Sequence, residues 1–349
     1  MSPQQHAQHL TAALEAVAQG RPLSAVQAEE VFDAFMDGSA SPAQMAGILV
    51  GLRAKGIDPS EVAGGVRALR KAMLPVAARD PAALVDTAGT GGGSVTTFNI
   101  STAAALVVAG AGVPVAKHGN RSFTSRCGSA DVFEALGVRI ELTPEAMARV
   151  LEEAGIVFMF APLLHPAMRH VGPVRKALGI TTIMNILGPL TNPAGARRQV
   201  VGVADPALLQ LIPDALAELE HVHALVVHGE VGVDEVSPWG ATRVAELRDG
   251  EIRRYELSPE ELGLEPADLG AVAGGDPADN AATIEAVLAG ENGAPRTAVV
   301  ANAAAALLVS GKVSSWAEGA RLAERILDEG KAAEALARLR EASERAAST

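Results

Sequence analysis

The 349-residue sequence predicts an α/β protein, with a small all-α helical unit followed by a larger unit built on a mainly parallel central sheet. Three observations carry this. The first ~75 residues contain three helix starts and read as purely helical. From Ala82 onward, short apolar strands alternate with helical stretches, the pattern of βαβ units. Glycine-rich or polar turns follow several of these strands, where parallel strands present a ligand crevice at their C-terminal ends. The units are placed at residues 1–76 and 77–349, with helices near 166–195 joining the first unit.

The helix starts are capping boxes, in which a short polar side chain and the Glu or Gln three residues later accept each other's backbone N–H. They are Ser24 with Gln27, Ser41 with Gln44, and Asp58 with Glu61. Pro42 and Pro59 stand at the first helical position, where a missing N–H costs nothing. "QMAGILVGLRAKGI" and "EVAGGVRALRKAM" then carry apolar residues at helical period.

In the larger unit the predicted strands are "AALVD" (82–86), "VPVAKHG" (113–119), "VRIEL" (138–142), "IVFMFAP" (156–162), "RRQVVGVAD" (197–205) and "HVHALVVHG" (221–229). Between them lie helices over 99–112, over 129–137 and after the cap Thr143, the last ending at Gly155. Asp249-Gly250 between "TRVAELR" and "EIRRYEL" signals a β-hairpin. The chain closes on a helix over 332–349 that reads as exposed.

Composition removes several functions. A net charge of −12 with 3% aromatic residues argues against a nucleic-acid surface, which needs clustered cations and stacking platforms. Cys127 is the single cysteine, so no intrachain disulfide forms and a reducing compartment is the simplest expectation. The longest uncharged apolar run, 103–116, is shorter than a membrane span and contains glycines and a proline. "MSPQQHAQHLTAALEA" lacks the layout of a signal peptide, so a cytoplasmic protein with no membrane partner is expected.

Four constellations carry chemistry. "DTAGTGGGSVTTFNIST", Asp86 to Thr102, reads as strand, glycine turn and helix start; free amides there hold an anion without any cationic side chain. It is not a P-loop, because no Lys follows the glycines, and not a dinucleotide fingerprint, because Ser94 stands where the third glycine belongs. "KHGNRSFTSRCGSAD", Lys117 to Asp131, follows the next strand, whose parallel pairing would set Lys117 beside the glycine loop. Its Asn120, Ser122, Thr124, Ser125 and Gly128 offer small donors for phosphate or ribose oxygens, and Arg121 or Arg126 add charge.

The third constellation is "APLLHPAMRHVGPVRKALG" with "NILGPLTNP". Here His165, Arg169, His170 and Arg175 fall on or near one helix start, and Arg175 suits a carboxylate held bidentately. The fourth is Asp234-Glu235 beyond a strand end. Adjacent carboxylates suit Mg²⁺ shared with a diphosphate, because Mg²⁺ takes few ligands from protein and several from substrate and water.

Together the four blocks resemble the anthranilate phosphoribosyltransferases of tryptophan biosynthesis, in the nucleoside-phosphorylase-like superfamily. The resemblance rests on Gly89 to Gly93 with Thr97 to Thr102, Lys117 to Asp131, His165 to Pro193, and Asp234-Glu235, in family order over nearly the whole chain. It implies a transferase that moves phosphoribose from phosphoribosyl pyrophosphate to anthranilate, uses Mg²⁺, and forms a homodimer through its helical unit. The donor's diphosphate would lie over Gly89, Thr90, Gly91, Gly92, Asn99, Ser101 and Thr102, with Thr97 nearby. Lys117, His118, Gly119, Asn120, Ser125 and Gly128 would line the substrates; Ser101, Asp234 and Glu235 would hold the metal. Anthranilate would sit near Asn120, Ala161, His165, Arg175 and Gly188, and the catalytic roles would fall to Lys117, Arg175 and His165. Where the family usually ends its glycine loop with Asp, this chain has Gly93. The alternatives are a pyrimidine nucleoside phosphorylase of the same superfamily and, from another class, a non-catalytic homologue that binds nucleic acid.

Overall fold

The computed structural model describes residues 3–93, 95–122 and 126–348. The chain begins with four helices, α1 (Pro3–Ala18), α2 (Ala25–Met36), α3 (Pro42–Lys55) and α4 (Pro59–Ala72). All three capping boxes form as the sequence predicts, each with both reciprocal bonds. Glu61 does more than cap. Fully buried, it accepts from the amides of Leu23 (2.8 Å) and Asp58 (2.9 Å) and from Lys55 Nζ (2.8 Å), so one carboxylate ties the start of α4 to the segment before α2 and the end of α3.

Then follow β1 (Val85–Gly89), α5 (Ile100–Gly110), β2 (Val115–Gly119), α6 (Ser129–Ala135), α7 (Pro144–Ala154), β3 (Ile156–Phe160), α8 (Ala161–Leu164), α9 (Met168–Leu178) and α10 (Met184–Leu187). The remainder is β4 (Arg198–Gly202), α11 (Leu208–Glu218), β5 (His223–Gly229), the hairpin β6 (Thr242–Arg248) and β7 (Glu251–Leu257), and helices α12 (Pro277–Leu288), α13 (Ala294–Ser310), α14 (Trp316–Asp328) and α15 (Lys331–Ala347). The seven strands run β3-β2-β1-β4-β5-β6-β7, parallel from β3 to β5 and antiparallel in the last two.

Side chains alternate across a strand, and here the alternation divides two cores. Val200, Leu225, Val227 and Val244 face the core that holds α5 and α13. Their neighbours Val201, Ala224, Val226 and Ala245 face α11 and a core continuous with α1–α4, α9 and α10. Helices α5 and α13 are apolar nearly all round, as helices enclosed on every side must be.

Two expectations fail. "VRIEL" forms no strand: Val138, Ile140 and Leu142 are buried in alternation, but Arg139 gives its amide to Ser343 Oγ (3.1 Å), and no strand lies alongside. The segment is extended chain lying on α15. That helix in turn is not simply exposed, since Ala332, Ala335, Leu336, Leu339 and Ala342 pack into the core beside α5 and α7. Strand β1 also starts later and runs further than "AALVD", to Gly89 opposite Gly202, because pairing with β4 extends into the glycine turn.

No helix among the described residues is long and apolar enough to cross a membrane.

Candidate functional site

The first, second and fourth constellations meet at the C-terminal edge of β1, β2 and β4, and the third joins them through His165. The glycine loop leaves β1 and returns into α5 through Thr97, which bridges to Ala273, and Asn99. Gly91 and Gly92 adopt positive φ of 66° and 81°, conformations that glycine takes without steric cost. Gly89 and Gly202 are small for another reason. A Cβ on Gly89 would lie 2.7 Å from Asp234 Oδ2, and one on Gly202 only 1.7 Å from the Asp234 carbonyl oxygen.

The acidic pair therefore sits directly on the loop. Asp234 Oδ2 accepts from the Gly91 amide at 3.0 Å, and Glu235 Oε1 from the Ser101 amide at 3.3 Å. Burial, and then the Asp234 charge, push the Glu235 carboxyl up to about 8, against the pull of Lys117 and the Ser101 amide. The donor set fits a hard divalent cation. It consists of two carboxylates whose repulsion a cation would relieve, beside the Ser101 hydroxyl, all oxygen. Among the described residues no third His, Cys, Asp or Glu joins them, so most of the coordination is left to substrate and water, as Mg²⁺ prefers.

Lys117 lies below this surface rather than in it. It is 2% exposed, and its ammonium donates inward to the Thr87 carbonyl (2.5 Å), Thr87 Oγ1 (3.1 Å) and Ser101 Oγ (3.3 Å). Burial lowers its pKa, while Asp86 and Glu235 oppose that shift. Two further expected donors are engaged within the protein. Thr102 is wholly buried, its hydroxyl without a partner among the described residues and its amide donating to the Asn99 carbonyl (3.0 Å), so it faces the core. Gly128 gives its amide to Asp131 Oδ2 (2.8 Å), and that donor is spent within the loop. Asn120 Oδ1 accepts from the Arg121 amide, and Arg121 is held by Asp131 and Glu134. Gly119 is tight against Ser129 Oγ, which a Cβ would meet at 2.2 Å. Thr124 and Ser125 lie outside the described residues.

The third block is arranged differently from its expectation. His165 follows α8, whose first residue is Ala161, and Arg175 stands in the last turn of α9 rather than at its start. His165 Nε2 faces His118 Nε2 at 3.2 Å, and burial holds both rings neutral, with pKa values near 4 and 3. The carbonyl of Gly188 lies against the His118 ring as a hydrogen-bond acceptor. Arg175 is half-buried, burial lowers its pKa, and no acid or carbonyl among the described residues pairs with its guanidinium.

Sequence reasoning missed the groups that hold this edge. Asn280 of α12 donates to Asn99 Oδ1 (2.9 Å), and Asn302 of α13 clamps both backbone groups of Val236, immediately after Glu235 (2.8 and 3.0 Å). The available signal was a lone Asn in "VVANAAAALLV", a polar residue in an otherwise apolar helix.

The family models agree with this architecture: "Glycosyl transferase family, helical bundle domain" matches residues 11–73 and "Glycosyl transferase family, a/b domain" residues 81–333. The chain is 50% identical over 330 residues to the anthranilate phosphoribosyltransferase of Thermomicrobium roseum, covering 94% of this chain and 95% of that one. It belongs to the anthranilate phosphoribosyltransferase family. Among solved structures, the Thermus thermophilus member superposes with a TM-score of 0.90 at 45% identity, covering 95% of this chain and 99% of that one. The Saccharomyces cerevisiae member, in complex with PRPP and Mg, superposes at 0.86 with 27% identity, covering 96% and 98%.

Proposed function

We propose that the protein transfers the phosphoribosyl group of phosphoribosyl pyrophosphate to the amine of anthranilate, giving N-(5-phosphoribosyl)anthranilate and diphosphate. The observation that carries this is the seating of Asp234 and Glu235 on the amides of the glycine loop and of the α5 start, which makes one place for a diphosphate and its metal. The nitrogen lone pair of anthranilate forms the new bond to C1 of the ribose as the C1–O bond to diphosphate breaks. Positive charge develops on the sugar and negative charge on the leaving group.

The amides of Gly91 and Ser101 hold Asp234 and Glu235 against the glycine loop, and charged groups fixed in this way act on the leaving group without reorganising. Lys117 adds a fixed positive charge from beneath, through Ser101, rather than by contact. Mg²⁺ held by Asp234, Glu235 and the Ser101 hydroxyl would supply Lewis-acid neutralisation of the diphosphate. Arg175, a guanidinium with no partner among the described residues, would take the anthranilate carboxylate and orient the ring. His165 is unprotonated at neutral pH and can take the proton that the amine sheds on bonding. Homodimerisation is part of the same proposal; the helical unit exposes Val26 and Val50, and sedimentation tests it.

The direct test mixes protein, Mg²⁺, phosphoribosyl pyrophosphate and anthranilate and follows anthranilate fluorescence. Loss of signal is expected, and no loss at any Mg²⁺ concentration would overturn the proposal. Gly93 bears on the metal. A Cβ there would meet the Gly232 carbonyl at 3.0 Å, so an aspartate fits after a shift of a few tenths of an ångström. Gly93→Asp should lower the Mg²⁺ concentration for half-maximal rate; superimposable Mg²⁺ titrations would show that Gly93 has no bearing on metal use.

A further inference from the structure

Asp86 is fully buried in β1 and touches neither substrate in the proposed chemistry, though its charge supports that of Lys117. Its Oδ1 accepts from the His118 amide (3.2 Å), and its Oδ2 from Asn192 Nδ2 (2.8 Å) and Gln199 Nε2 (3.1 Å). These donors belong to β2, to the turn after Gly188, and to β4. Each amide arm reaches further. Asn192 also donates to the Ala116 carbonyl (2.8 Å) and accepts from the Ala194 amide (2.9 Å), while Gln199 donates to the Pro189 carbonyl (3.0 Å) and faces His221 Nε2 (3.0 Å).

All three of its partners are N–H donors, and only an ionised carboxylate is acceptor on both oxygens. Burying that charge is costly, and burial does push the carboxyl above its ordinary value. An apolar residue would pack here at lower cost, as replacements of buried charges commonly show. What a carboxylate adds is geometry. Thr87, the next residue, turns to the other face of the sheet and receives Lys117, so the donor side of the site does not hang on these bonds.

We infer that Asp86 is a positioning residue, which fixes the β2 end carrying His118 against the Gly188–Asn192 turn and so sets the wall of the anthranilate pocket. The inference rests on the transferase reading and deepens it. Its test is steady-state kinetics of Asp86→Asn and Gln199→Met with each substrate varied in turn. Asp86→Asn keeps the shape but in either orientation turns its NH₂ toward an N–H donor, the His118 amide in the less costly one; KM for anthranilate should rise about tenfold, with KM for phosphoribosyl pyrophosphate within about twofold of the parent. Gln199→Met removes one arm and should shift the same constant by about threefold. A merely structural role would lower the melting temperature and kcat without separating the two KM values. Equal or absent KM changes in a folded Asp86→Asn overturn the inference, and if that variant does not fold, the same result in Gln199→Met does so. A parent protein that consumes no anthranilate rejects the transferase reading instead.

Discussion

In the helical unit Glu61 meets Lys55 at 2.8 Å and two backbone amides besides, whereas at the sheet edge Glu235 faces Asp234 and leaves Lys117 to Thr87 and Ser101. Both are buried Lys and Glu groups, yet the first set is closed and the second is left under electrostatic tension. The difference teaches where a ligand belongs: a cation entering the first would find every oxygen engaged, while one entering the second would relieve a repulsion.

Removing one side of the closed pair should have the largest effect. Glu61→Ala strands the Lys55 charge and two amides, and should cost about 3–5 kcal/mol in denaturant unfolding. A loss below about 1 kcal/mol would place this pair among surface ion pairs and break the contrast. Glu235→Gln should do the opposite. It keeps the shape of a carboxyl that burial and Asp234 already hold mostly protonated at neutral pH, so the melting temperature should hold or rise, while kcat/KM falls by about 100- to 1,000-fold, the scale of losing one electrostatic stabiliser. A variant that lost stability instead would make Glu235 a structural acid like Glu61.

Arg175→Ala should come next. The guanidinium has no partner among the described residues to strand, so folding should be unchanged while KM for anthranilate rises by about tenfold or more, the scale of a lost charge-assisted bond. An unaltered KM would remove Arg175 from the acceptor site. The effect that is smallest at neutral pH, and grows only in acid, concerns the neutral pair, His118 and His165. Their folded pKa values, about 3 and 4, lie below the unfolded 6.5. Below pH 6.5 the unfolded state therefore binds more protons, and the stability that the pair contributes, full above 6.5, is lost as pH falls through that window. His165→Asn should flatten this part of the acid-unfolding curve; an unchanged slope would mean the ring titrates alike in both states.

What the sequence made legible follows from the range of the interactions. Capping boxes are local, three residues apart, and formed where they were read. The glycine loop, Lys117 and the acidic pair were legible as motifs because their chemistry is carried by residue type. That Lys117 points inward was not, since its direction is set by Thr87 and Ser101 on other elements. "VRIEL" misled for the same reason: alternating burial marks one covered face, and here a helix rather than a strand is the cover. Asn280 and Asn302 act across 181 and 66 residues of chain, beyond any local pattern.

Gly89 and Gly202 show what such distances imply for redesign. Two neighbouring strands act as a mould whose shape is defined by side chains that glycine does not have, and the Asp234 turn is the cast. Grafting the acidic pair onto another sheet would therefore transfer nothing unless both glycines travelled with it.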